Sequence, residues 1–144
     1  MYVDALVGGL EKVYAINPSF RREREATNIH LVEIWQLQAD MSWTSNEDLL
    51  AMEESLIQHL ARSFKDKHSD LYTMAGLDMS HLDALLQPYA RITYTESVER
   101  MRSLGYRFKF GDDYSQEQSD VLSAIFDRPY FITDYPQKKR TVRK

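Results

Sequence analysis

The chain has 144 residues, 43% hydrophobic and 28% charged, which is enough for one core and too little for two ordinary domains. A formal net charge of −4 argues against a protein that coats nucleic acid, while local basic patches stay open. The absence of cysteine excludes disulfides, a thiol nucleophile and the common structural zinc sites. No basic-then-apolar leader is seen near Met1 and no apolar run approaches the roughly 18 residues of a membrane span, so a cytoplasmic setting without membrane contact is expected.

The first element in the reading is the strand KVYAINPSF, in which Val13, Ala15 and Ser19 lie to one side and Tyr14 and Ile16 to the other. An extended backbone then points Arg21 and Glu23 the same way. A guanidinium offers a fork of donors suited to a phosphate or carboxylate, and a carboxylate two residues on can accept from an exocyclic amine or support the guanidinium. An isolated pair of this kind is more often an ordinary surface ion pair. A polar loop over 24–28 leads to His30, and Glu33 with Ile34, Trp35 and Leu37 forms a second strand running back. Central strands over 12–22 and 31–42 are therefore expected.

Farther along, Ser45 or Asn46 caps a long amphipathic helix over 45–65, with Leu49, Met52, Leu56, Leu60 and Phe64 at helical spacing. The stretch 65–88 is polar, breaks at Gly76 and holds a short helix over 80–86. A brief strand over 91–94 precedes a helix opened by Thr95, with Val98, Met101 and Leu104 inward and Gly105 as its stop. A turn at Gly111, Asp112 and Asp113 introduces a third helix over 115–126, and Pro129 separates it from a final strand over 130–133. The two adjacent aspartates read as a turn and a cap rather than a metal site, and His59, His68 and His81 lack ligand spacing. The intermixed elements predict an α+β fold, an antiparallel sheet flanked by helices.

The stretch FRREREATNIHLVEIW resembles motif 2 of the class II aminoacyl-tRNA synthetases: phenylalanine, arginine, any residue, glutamate, a variable loop, then a histidine-containing return strand. The words YVDALVGGLEKVYAINPSFR, EDLLAMEESLI, RITYTESVERM, FGDDYSQEQSDVL and RPYFITDYP narrow the likeness to the aspartyl/asparaginyl subgroup. An aspartyl enzyme is expected to carry lysine after Tyr2. Val3 stands there, so the chain is more similar to asparaginyl-tRNA synthetases and the asparagine-synthetase paralogues built on the same core.

The resemblance implies that residues 1–136 are a partial class II catalytic domain holding motif 2, with 137–144 a basic, disordered tail. Motif 1 is expected before Met1, and motif 3 and the magnesium-binding acidic segment beyond Lys144. The implied activity is ATP-dependent ligase chemistry, an amino acid activated as its adenylate, with asparagine or aspartate as the small amino acid and tRNA as a further partner. The chain is expected not to act alone but as a homo-oligomer or with a complementing polypeptide, and magnesium enters only if missing segments complete the site. Arg21, the catalytic residue, would bind the α-phosphate of ATP and the carboxylate of the amino acid. Glu23 would face the adenine amino group, His30 the γ-phosphate or the tRNA end, and Glu33 would support the base of the hairpin. Asp134 and Tyr135 would border the amino-acid pocket. No residue is expected to bind a metal by itself.

Several positions depart from the family pattern. Ile34 replaces the phenylalanine that stacks on adenine, Trp35 the aromatic after it, Ile29 an arginine before the histidine, and Asp40 and Ser119 two glutamates. They motivate an alternative function, a catalytically inactive paralogue retained as a binding or interaction module.

Overall fold

The computed structural model describes residues 2–20 and 31–137, in the order α1 (Tyr2–Leu10), β1 (Lys12–Phe20), β2 (Glu33–Met41), α2 (Asn46–Met74), α3 (Ser80–Leu85), β3 (Ala90–Thr93), α4 (Tyr94–Ser103), α5 (Gln116–Ser123) and β4 (Tyr130–Thr133). The fold is the mixed α and β one expected. No described helix is long and apolar enough to cross a membrane. The basic tail expected over 137–144 lies, apart from Gln137, outside the described residues. The chain divides into two compact units between Leu49 and Leu50.

In the first unit, β1 and β2 pair antiparallel in an unbroken register from Lys12 opposite Met41 to Phe20 opposite Glu33. The expected strands are therefore present, slightly shorter than drawn. Residues 2–10, to which the sequence pattern assigns no element, form helix α1, which packs on both strands. Glu11 ends it with a left-handed φ of 61°, its amide donating to the carbonyl of Val7. The Glu11 carbonyl in turn accepts from the amide of Ser42, 2.7 Å away, which ties helix to hairpin base.

Ser45 caps α2 as expected. Its hydroxyl accepts from the amide of Asp48, and the Asp48 carboxylate accepts from the Ser45 amide and hydroxyl. The helix runs on to Met74, past the expected end at 65, with a non-helical residue at His68 (φ −138°). Gly76, at φ 69°, then stops it, its amide donating to Thr73 and that of Leu77 to Tyr72, the double closure that a left-handed glycine permits. Of the expected inward stripe, Leu49 and Met52 are half-buried and Leu56, Leu60 and Phe64 are exposed; the buried residues of the helix are instead Leu50 and Ala61.

The second unit holds the core. Tyr94, Val98 and Phe108 form a buried cluster against which Tyr114 and Ile132 pack. Tyr94, Val98 and Met101 recur at helical spacing on α4 and are almost wholly buried, while Leu104, expected inward, is exposed at the helix end. The helix starts at Tyr94, one residue before the expected Thr95. Thr93 is its cap, paired reciprocally with Glu96, and the same arrangement joins Ser115 to Gln118 at α5. β3 and β4 pair in parallel, Ala90 opposite Tyr130 and Thr93 opposite Thr133. A parallel pair needs a long crossover, here supplied by α4 and α5.

Candidate functional site

Arg21, Glu23 and His30 fall outside the described residues. The hairpin fixes what surrounds them in the chain, because residues 21–32 join the paired ends Phe20 and Glu33. Glu33 is the first residue of β2, with its side chain exposed. Ile34 is half-buried and lies opposite Ser19, on the hairpin face that also carries Val13, Ala15, Gln36 and Gln38. On that face Gln38 Nε2 donates to the Asp40 carboxylate at 2.9 Å. Asp40 also lines a cavity of about 340 Å³ with Ala39, Met41, Thr44, Ser45, Asn46 and Leu49.

Asp134 and Tyr135 belong to the second unit and follow β4. Asp134 adopts a left-handed φ of 55°, a conformation that aspartate tolerates better than most residues, and its carboxylate accepts from the Thr133 hydroxyl at 3.0 Å. The turn lays the half-exposed ring of Tyr135 against Tyr94, with centroids 4.9 Å apart. Partial burial, and then the neighbouring Tyr114, Tyr94, Tyr130 and Asp113, push its phenol above the ordinary tyrosine value. At neutral pH it is therefore a neutral hydrogen-bonding group and not a base.

The support beneath Tyr135 was not singled out from sequence. The Tyr94 hydroxyl donates to the carbonyl of Asp112 at 2.8 Å and accepts from the amide of Gly111 at 2.9 Å, pinning the glycine-aspartate turn. Gly111 has φ 94°, which explains a glycine at that point. Buried Ser97 donates to the Tyr94 carbonyl at 2.7 Å, so in its short hydrogen bond with Tyr114 the tyrosine hydroxyl is the donor. Burial raises the Tyr114 phenol as well. The local signal for this network was the Thr93-x-x-Glu96 capping pattern, which places Tyr94 at the start of a helix. Among the described residues no three His, Asp or Glu side chains gather in a way that could hold a metal ion.

A sequence profile of the tRNA synthetases class II (D, K and N) matches residues 2–144. The chain belongs to this family. Within it, the asparagine--tRNA ligase of Thermoplasma acidophilum is 33% identical over 136 residues, covering 94% of this chain and 32% of that protein. The Pyrococcus abyssi ligase is 34% identical, with 95% and 32% covered. The crystal structure of the Pyrococcus horikoshii asparaginyl-tRNA synthetase, complexed with asparaginyl-adenylate, matches with a TM-score of 0.88 at 33% identity, covering 94% of this chain and 31% of that one. An aspartyl tRNA synthetase of Entamoeba histolytica, at 22% identity and a TM-score of 0.74, shares the fold. This class II synthetase chain thus spans about a third of the length of the relatives it matches.

Proposed function

We propose that the chain is the motif 2 portion of an asparaginyl-tRNA synthetase-like catalytic core that binds ATP and activates asparagine as its adenylate. The observation that carries this reading is the likeness, at 33% identity and a TM-score of 0.88, to the Pyrococcus horikoshii synthetase solved with asparaginyl-adenylate. In the reaction proposed, a carboxylate oxygen of asparagine attacks the α-phosphorus of ATP, and the bond to the departing pyrophosphate breaks. Arg21 holds the α-phosphate and the carboxylate, where negative charge develops. Glu23 receives the adenine amino group, and His30 serves the γ-phosphate or the acceptor end of tRNA. Glu33 steadies the hairpin, and Asp134 and Tyr135 border the amino-acid pocket, with Tyr135 as a neutral phenol. Residues 1–136 form the catalytic portion, 137–144 a tail, and the setting is the cytoplasm. No step is assigned to magnesium.

One of three family motifs is read within these residues, so the 144 residues alone are expected to bind ATP weakly and to show no measurable asparagine-dependent pyrophosphate exchange. Charge-assisted contacts are worth about 1.5 to 3 kcal/mol each, and lacking two of them weakens binding by roughly two to four powers of ten. Arg21→Ala should abolish the residual ATP binding in a titration. Binding that survives the substitution means that motif 2 is misassigned; robust exchange by the purified chain refutes the dependence on other segments.

Ile34 favours a second reading, an inactive paralogue kept as a binding module. Isoleucine covers a base without stacking on it. Restoring the ring with Ile34→Phe should tighten ATP binding by roughly threefold to tenfold if the pocket still works, and should change nothing in a binding module.

A further inference from the structure

In the second unit, helix α3, the end of α5 and the start of β4 line a cavity of about 540 Å³, none of whose residues has a part in the reading above. Its size falls within the roughly 300 to 1,000 Å³ of small-molecule sites. Phe126, Pro129 and Tyr130 supply the apolar lining. The rings of Phe126 and Tyr130 stack nearly flat, 22° apart with centroids at 4.3 Å, and the Arg100 guanidinium lies 5.4 Å from the centre of Phe126. A stack held in this way offers a flat aromatic face to a further ring. The Pro129 carbonyl accepts from the amide of Ala90 at 3.0 Å, which ties the lining to β3.

Polar groups share the same cavity. The hydroxyls of Ser123 and Tyr130, 3.2 Å apart, share one hydrogen bond, so one of their two protons has no acceptor among the described residues. Arg128 and His81 add nitrogen donors. Arg128 meets Asp127 at 3.8 Å, too long for a hydrogen bond, and with 44% of its side chain exposed the guanidinium is open to an anion. Asp127, 93% exposed, is an acceptor beside it.

We propose that this cavity binds a nucleoside monophosphate unit. The base stacks on the Phe126–Tyr130 pair, the phosphate takes Arg128 and the spare hydroxyl proton, and a sugar hydroxyl donates to Asp127. A purely apolar ligand would leave the guanidinium and the hydroxyl unanswered, and a bare anion would leave the aromatic stack unused. A free mononucleotide and one residue of a single-stranded RNA present the same chemistry. Binding here needs neither asparagine nor Arg21, so it stands apart from the adenylate-forming reading.

The test uses the full chain carrying Arg21→Ala, which removes the nucleotide binding expected of motif 2. Adenosine monophosphate, titrated to about 10 millimolar against the nitrogen-15-labelled protein, should give saturable shifts centred on residues 81, 123, 128 and 130, with a Kd of about a millimolar. Arg128→Gln and Phe126→Leu should each weaken it by roughly fivefold to tenfold, with circular dichroism showing that both variants fold. Adenosine and inorganic phosphate should each bind at least severalfold more weakly than the nucleotide. Single-stranded hexa-adenylate that binds more than about tenfold tighter, with a steep salt dependence, identifies RNA as the source; equal or weaker binding identifies the free nucleotide. Absence of saturation, shifts centred elsewhere, affinity unchanged in both variants, or phosphate binding as well as the nucleotide would each overturn the inference. None of these results bears on motif 2, whose own test keeps Arg21 in place.

Discussion

Two buried tyrosines make opposite predictions from the same substitution. Tyr94 is fully buried, and its hydroxyl holds both the Gly111 amide and the Asp112 carbonyl. Tyr94→Phe leaves both backbone groups short of a partner and should cost about 1 to 2 kcal/mol in urea unfolding. Tyr89 is also buried, but its hydroxyl has no hydrogen-bond partner among the described residues, and burial followed by the charge of Glu54 raises its phenol. Tyr89→Phe removes a desolvated group that makes no bond, so stability should hold or rise by up to about 1 kcal/mol. A loss at Tyr89 equal to that at Tyr94 would show that its hydroxyl has a partner in solution.

The capping boxes carry a pH dependence whose sign can be stated. The Thr93 amide and then its hydroxyl hold the Glu96 carboxyl below its ordinary value of 4.5, and Ser45 lowers Asp48 below 3.8 in the same way, its hydroxyl first. A carboxylate depressed in the folded state stabilises fully above its unfolded value, and that contribution fades as pH falls through the lower folded one. Melting temperatures followed from about pH 5 to pH 3 should therefore drop more steeply for the wild type than for Glu96→Gln. Equal slopes would remove the cap from the acid transition. These elements also mark how far sequence reading reached. The strands of the hairpin were legible from period-2 alternation and from the family words, β4 from the break that Pro129 makes before it, and Gly76 and Gly105 were legible as stops because only a left-handed residue closes a helix that way. The parallel pairing of β3 with β4 was not, since nothing in either four-residue strand encodes which strand lies beside it. Nor could the role of Tyr94 be read, because its partners lie 17 and 18 residues away. Helix α1 over Tyr2–Leu10 is not assigned by the sequence pattern. Of the candidate site, Glu33, Asp134 and Tyr135 have defined surroundings, whereas Arg21, Glu23 and His30 rest on the family pattern.

Across the whole molecule the two units differ in how much they bury. Every fully covered side chain of the core lies from Leu50 onward, and among residues 6–20 and 31–49 none is buried. Amides of β1 and β2 should therefore exchange with solvent deuterium well before those of α4, as read by mass spectrometry on peptides from each. Equal protection would mean that something already covers the hairpin in solution. The residue-for-residue pairing of β1 with β2 has one more outcome, which concerns how such a protein diverges. A one-residue insertion within either strand would exchange its inner and outer faces, turning Trp35 and Leu37 to where Ile34 and Gln36 now stand. The same insertion between Phe20 and Glu33 leaves every described pair of β1 with β2 in place. The hairpin is thus a fixed ruler with an adjustable tip: evolution can lengthen, shorten or rewrite the segment that holds Arg21, Glu23 and His30 while the platform on either side stays in register.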